Sequence, residues 1–185
     1  MPKKNIAVVM GGYSSEYQIS LKSGKVVCDN LNKQLYNVFP IHILKEKWLY
    51  VREDAKEIPI DKSDFSIEIN HEKVKFDVIF NAIHGHPGED GLLLAYFELL
   101  GIPHTSDTSY KMALTFNKRD CLSVLTPYGI PHAQSIYINK GDKIDFQNIA
   151  NTLGFPCFVK ANRAGSSFGI TKAYTIDDLP QALEN

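Results

Sequence analysis

Three short stretches of this chain gather charged, polar and glycine residues closely enough to do chemistry. In Gly11-Gly12-Tyr13-Ser14-Ser15-Glu16 a glycine turn runs into a helical pattern, so its free N–H groups favour a polar or charged ligand. Glu16 suits either of two roles there: it offsets the helix dipole, or it points into a cleft and pairs with a substrate ammonium. The spacing is not GxGxxG, which argues against a nicotinamide or flavin dehydrogenase. The second stretch, His84-Gly85-His86-Pro87-Gly88-Glu89-Asp90-Gly91, holds His84, His86, Glu89 and Asp90 within one loop. The two histidines lie two apart across a glycine, and a closed zinc site would need a further ligand elsewhere. The simpler reading sets His84 at a strand's carboxyl end, facing a cleft, with Glu89 and Asp90 capping the helix that follows. The third runs from Phe158 through Lys160 to Gly165-Ser166-Ser167-Phe168-Gly169. It has no GxxxxGK P-loop, yet a lysine at a strand end beside a Gly-Ser nest of N–H donors is another way to hold a triphosphate. A polar hairpin with a surface lysine has the same pattern. Lys118, at a helix start, would add a second phosphate contact or simply be solvated.

These groups need a scaffold, and the hydrophobic pattern supplies one. Residues 6–10 form a continuous apolar run ended by two glycines, as expected of a strand buried on both faces of a parallel sheet. Ser15 and Gln18 have the spacing of a capping box, and Ile19, Val26, Val27, Leu31 and Leu35 recur at helical intervals to about residue 35. Strands are expected at 36–43, 47–51 and 75–83, with hairpins or loops in the polar stretch 53–70. A helix over 91–100 should stop at Gly101, and Pro103 prevents its restart. Strand, glycine loop and helix recur, so residues 1–106 read as an α/β domain with a mainly parallel sheet, whose ligands would sit at the strands' carboxyl ends. A boundary falls near Ser106. Residues 107–185 read as helices at 109–116 and 118–125, strand 133–138, helix 146–153, strands 155–160 and 170–174, and a last helix from about 175. That pattern is a small α+β lid.

At 185 residues the chain is one domain or two small ones, and 44% hydrophobic with 22% charged residues is an ordinary folded mixture. Twenty Lys plus Arg against twenty-one Asp plus Glu leave a net charge of -1 without a basic tract, so nucleic acid is not the expected partner. Cys28, Cys121 and Cys157 are odd in number and far apart, which suits reduced thiols in the cytoplasm. The apolar run after Lys3-Lys4 is too short for export, and no stretch of about eighteen apolar residues would span a membrane.

The three motifs, in this order, resemble the amino-terminal part of the D-alanine-D-alanine ligase family, within the ATP-grasp superfamily, over essentially the whole chain. The likeness rests on residues 8–16, on His84-Gly85-x-x-Gly88-Glu89-Asp90-Gly91, and on Lys160 with Gly165-Ser166-Ser167-x-Gly169. It implies a pre-ATP-grasp domain followed by an incomplete small ATP-grasp subdomain. It also implies an enzyme that phosphorylates one D-alanine carboxylate with ATP and lets a second D-alanine's amine displace phosphate, yielding a cell-wall dipeptide. Carried over, Glu16 would hold the first D-alanine's ammonium with Ser166 as its hydrogen-bonding partner. Ile19 would face the substrate methyl, and His84 would lie beside the carboxylate. Lys118 and Lys160 would meet the ATP phosphates, Gly165, Ser166 and Ser167 would close over them, and Phe158 would flank the adenine. A homodimer is the family's usual state. Magnesium is implied too, with ligands expected beyond residue 185 and none within this chain.

The chain departs from the family at Leu94-Ala95, where Gln-Gly is usual. It also has Lys160-Ala161 and Ala164-Gly165 in place of Lys-Pro and Glu-Gly, which removes a proline stiffener and an acidic neighbour from the phosphate loop. The resemblance makes the chain a fragment, expected to be inactive without the large subdomain. Competing readings are a ligase that takes D-lactate or D-serine as acceptor, a non-catalytic binding or dimerisation module, and a metal-dependent hydrolase at His84 and His86.

Overall fold

A computed structural model describes residues 2–52, 54–165 and 167–184 of the chain. They form two compact units, 2–114 and 115–184.

The first unit is built on a five-stranded sheet of β1 (Lys4–Gly11), β2 (Tyr36–Ile43), β3 (Trp48–Val51), β4 (Glu57–Pro59) and β7 (Val78–Asn81), in the order β4-β3-β2-β1-β7. β1 pairs in parallel with both β2 and β7, as the buried apolar runs predict, whereas β3 and β4 add antiparallel. Loop length explains the change of direction. The β2–β3 connection is too short for a crossover, so the chain folds back as a hairpin, while α1 (Tyr17–Asn30) carries β1 to β2. β5 (Ile67–Ile69) and β6 (Glu72–Val74) form a separate antiparallel pair within the polar stretch.

The sheet is buried on both faces. One face packs Ala7, Val9, Ile41, Ile43 and Ile79 against Leu93, Leu94 and Phe97 of α2 (Leu92–Leu99). At the centre of this layer Phe65 makes edge-to-face contacts with Trp48, Phe76, Tyr96 and Phe97, at centroid distances of 4.8–6.1 Å. The other face packs Ile6, Val8 and Met10 under Leu21, Val27, Cys28 and Leu31. α1 lies close to β1 because its buried face is Ser20 and Gly24: a Cβ on Gly24 would come within 2.7 Å of Met10. The expected apolar stripe is thus only partly the core face, since Ile19, Val26 and Leu35 are exposed. α1 also ends at Asn30, earlier than its pattern suggests. α2 ends as expected, with Gly101 donating to Glu98 C=O and Ile102 to Phe97 C=O in a Schellman arrangement.

The second unit follows α3 (Ser109–Phe116), which spans the division, and contains α4 (Lys118–Leu125), α5 (Phe146–Leu153) and α6 (Leu179–Glu184). β8 (Cys157–Lys160) and β9 (Ile170–Ala173) form an antiparallel hairpin. Asp145 caps α5, accepting from Asn148 N–H at 2.9 Å. Ile149, Ala173 and Leu179 make a small core. The strand expected at 133–138 does not form: the segment has no regular secondary structure and joins no sheet among the described residues. Its Ile136 still packs on the core, which accounts for the apolar signal.

Candidate active site

In the first unit, the Gly11–Glu16 turn leaves the carboxyl end of β1 and the His84–Gly91 loop follows β7, its parallel neighbour. The sheet therefore brings two motifs together that lie seventy residues apart. Tyr13 N–H donates to His86 C=O at 2.8 Å, and the Ser14 hydroxyl donates to His84 C=O at 2.8 Å. The same hydroxyl accepts from Glu16 N–H at 3.2 Å and so takes the place of the expected Ser15–Gln18 capping box. Glu16 itself is the N-cap of α1 and only 8% exposed. Its carboxylate lies against the second loop: a Cβ on Gly85 would come 3.4 Å from Glu16 Oε2 and 2.8 Å from the Ser14 side chain. Gly85, with φ of +73°, is what lets these loops close on each other.

Of the acidic pair expected to cap α2, Asp90 reaches the helix's first N–H, whereas Glu89 turns back onto its own loop. Glu89 Oε2 accepts from Gly85 N–H at 2.7 Å, which ties the loop across its own base. Asp90 Oδ2 lies 2.5 Å from His86 Nδ1, and its other oxygen accepts from Leu92 N–H at 3.3 Å. The N-cap is Gly91, in left-handed geometry. His84 is held at its C=O by the Ser14 hydroxyl, and its ring meets Ser23, with Nε2 3.0 Å from the hydroxyl. Ile19 is 51% exposed, one turn along α1 from Glu16.

In the second unit, Lys160 ends β8 opposite Ile170, and its ammonium lies 5.6 Å from the Phe158 ring on the hairpin's exposed side. Lys118 reaches the same loop. Its ammonium donates to Ala161 C=O at 3.1 Å and to Ala164 C=O at 2.5 Å. Burial lowers the Lys118 pKa, and the nearby Lys160 charge lowers it further. Two cations are therefore held beside one glycine loop, the arrangement an anionic ligand would relieve. Gly165 and Ser167 belong to that loop, where Phe168 N–H closes a turn onto Gly165 C=O at 2.9 Å. Ser166 lies outside the described residues.

Two asparagines that the motif reading passed over secure this loop. Asn162 Nδ2 donates to Asn117 Oδ1 at 2.8 Å, while Asn162 Oδ1 accepts from Arg119 N–H at 2.9 Å. Asn117 is the N-cap of α4, accepting from Asp120 N–H at 3.2 Å, and its amide also bonds the Asp120 carboxylate. An Asn directly before a helix is a recognisable cap signal. Asn162 carries no such signal in its spacing.

A family model for the N-terminus of D-Ala-D-Ala ligase matches residues 5–106, and one for the C-terminus of the same enzyme matches residues 124–185. The chain belongs to the D-alanine-D-alanine ligase family. Among curated family members, the D-alanine--D-alanine ligase of Flavobacterium johnsoniae is 61% identical over 181 residues, covering 98% of this chain and 56% of the relative. The chain thus spans about half the length of the ligases it matches. Among solved structures, the VanG D-Ala:D-Ser ligase of Enterococcus faecalis is 30% identical with a TM-score of 0.81, over 99% of this chain and 59% of that one. The Bacillus anthracis D-alanine--D-alanine ligase complexed with ATP is also 30% identical, with a TM-score of 0.74, over 98% and 54%. Among the described residues no group of three or more His, Cys, Asp or Glu could hold a metal ion, and no helix is long and apolar enough to cross a membrane.

Proposed function

We propose that this chain supplies the first substrate-binding domain, residues 1–106, and the small ATP-grasp subdomain, residues 107–185, of a cytoplasmic ligase that joins two D-alanines. The observation that carries this reading is the buried Glu16 carboxylate, set at a strand-to-helix turn directly against the His84-Gly85 loop in a chain of this family. A carboxylate fixed at this turn and facing the second loop offers an amino-acid ammonium a charge-assisted hydrogen bond.

In the proposed reaction a carboxylate oxygen of the first D-alanine attacks the γ-phosphorus of ATP. The bond to ADP breaks, and an acylphosphate forms. The amine of the second D-alanine then attacks the acyl carbon, loses a proton, and expels inorganic phosphate. No covalent bond to the protein is needed. Glu16 holds the first ammonium, with Ser166 as partner, Ile19 borders the methyl group, and His84 donates to the carboxylate. Lys118 and Lys160 offset charge on the phosphates, under a loop containing Gly165, Ser166 and Ser167, and Phe158 flanks the adenine. Such charge stabilisation is the main contribution a protein makes to phosphoryl transfer. Magnesium is part of the proposal as a cofactor, but the described residues offer no cluster that fits it, and no step here runs through it. The homodimer that is the family's usual state is part of the proposal as an inherited expectation.

The test is a coupled phosphate-release assay with ATP, magnesium and D-alanine, run on this chain and on a chain of the relatives' full length. D-Alanine-dependent phosphate release by the long chain alone is the expected result. Absence of turnover in both would overturn the ligase reading, and turnover by the 185-residue chain would overturn its need for a further wall. The likeness to a D-Ala:D-Ser ligase keeps a second acceptor in view. Competing D-serine and D-lactate against D-alanine in the same assay decides it.

A further inference from the structure

α1 carries serines at positions 20 and 23, three residues apart and so on one face of the helix. Ser20 is fully buried; its hydroxyl donates to Ala82 C=O and accepts from Gly11 N–H, both at 2.8 Å, which straps the end of β1 to the residue that follows β7. Ser23 stands one turn further along the helix, with its Oγ 3.0 Å from Nε2 of His84. The main chain of the same histidine is held by Ser14, whose hydroxyl donates to His84 C=O at 2.8 Å. Ring and backbone of His84 are therefore fixed independently, both from α1 and its entry turn.

We propose that Ser23 is a positioning residue: its hydroxyl donates to Nε2 of His84, so that the neutral ring keeps its proton on Nδ1 and presents that N–H to an anionic oxygen of the substrate. The inference rests on the proposed function only for the identity of that oxygen. A carboxylate or acylphosphate accepts hydrogen bonds and cannot donate them, so the useful ring atom is a donor. An unrestrained neutral imidazole favours the proton on Nε2. Ser23 reverses that preference by offering Nε2 a donor, in the way that a partner on one ring nitrogen sets the role of the other. Nothing else about the ring has to change.

The experiment has two independent readouts. In the 185-residue chain with 15N-labelled histidine, ring-nitrogen spectra of the neutral His84 ring should show the Nδ1–H tautomer, with the signals assigned by their loss in His84→Gln. Ser23→Ala should shift His84 to the Nε2–H form, and Ser23→Thr, which keeps the hydroxyl, should restore Nδ1–H. An Nε2–H ring in the unmodified chain, or a tautomer unmoved by Ser23→Ala in a chain that melts normally, overturns the inference. In the full-length protein, Ser23→Ala should reduce kcat/KM for D-alanine about tenfold, the size of one hydrogen bond, with KM for ATP unchanged and recovery in Ser23→Thr. A full-length protein without ligase activity would overturn the proposed function, while the spectra still decide the role of Ser23.

Discussion

The two units hold their motifs in opposite ways. In the first, Glu16 is buried and the loops around it are tied to each other and to two parallel strands by Ser14, Ser20, Glu89 and Tyr13. In the second, Phe158 is 54% exposed and Lys160 lies beside it on the open side of a two-stranded hairpin, with Asn162, bonded to Asn117 and Arg119, and Lys118 bracing the loop. A small ligand whose handedness must be read needs a rigid site. A flexible polyphosphate needs charge that can follow it, and exposed lysines with rotatable heads supply that.

The largest effect expected is on the rigidity of the first unit. Phe65→Ala removes the ring around which four other aromatics pack, and a buried Phe lost from a core costs about 3–5 kcal/mol. The chain has one tryptophan, Trp48, which touches Phe65, so urea unfolding followed by its fluorescence reports on this unit. A loss below about 1 kcal/mol, the level of an ordinary surface change, would show that the aromatic layer does not hold the substrate side together.

Charge removal should separate the two halves next. In the full-length protein Lys160→Ala is expected to cost on the order of 10²–10³ in kcat, as losing a group aimed at developing charge does elsewhere. Glu16→Gln should instead raise KM for D-alanine by about tenfold or more, the worth of one charge-assisted hydrogen bond, with KM for ATP little changed. Steady-state kinetics with each substrate varied in turn checks both. If each variant altered both KM values equally, the division into a substrate half and a phosphate half would fail.

How much of this was legible follows the same divide. The strand 36–43 and the helices 109–116, 118–125 and 146–153 were readable to the residue, because apolar runs, an Asn or Asp cap and punctuating glycines all agree there. Phe65 was not, since it is a lone aromatic in a polar stretch without period, buried only by residues distant in sequence. The buried face of α1 was misread for the opposite reason: close packing on Met10 selects Ser20 and Gly24, which carry no hydrophobic signal, and leaves Ile19 and Val26 outside. For the candidate site, motif spacing found the residues but not their arrangement. Only the parallel pairing of β1 with β7 puts Glu16 against Gly85, and no local pattern encodes that.

A smaller effect should follow from loosening the phosphate side. Asn162→Ala deletes the acceptor for Arg119 N–H and the donor to Asn117 together, a loss of about 1 kcal/mol of local order if the bonds behave as ordinary caps. Since Lys118 N–H also donates to Asn162 C=O at 3.3 Å, the helix start and the loop should drift apart together. KM for ATP should rise several-fold, by about the tenfold that 1.4 kcal/mol represents at most, while KM for D-alanine holds. An unchanged KM for ATP would mean that Lys118 alone positions the loop.

The smallest effect distinguishes the units by acid. Asp54, Asp61, Asp64, Glu98 and Asp107 in the first unit all have pKa values lowered by hydrogen bonds: to Lys56 N–H, the Ser63 hydroxyl, the Ser66 hydroxyl, the Ser109 hydroxyl and Thr108 N–H, in that order. In the second unit Asp178 is lowered in the same way by Tyr174 N–H. A carboxyl whose folded pKa lies below its unfolded one contributes stability that is complete above the unfolded value, 3.8 for Asp and 4.5 for Glu, and is lost as pH falls through the folded value. His42, whose pKa burial lowers from 6.5, starts a decline in the stability read from Trp48 as pH falls through 6.5, and the carboxyls add theirs below about pH 5. Five of the six are solvent-exposed and Asp64 is half-buried, so each contribution is small and salt will weaken any part that comes from charge pairing. Glu98→Gln tests one of them, because it keeps an acceptor for Ser109 but cannot titrate: it should flatten part of the decline below pH 4.5 without changing stability above it. An unchanged acid limb in that variant would place the sensitivity of the first unit in its aspartates instead.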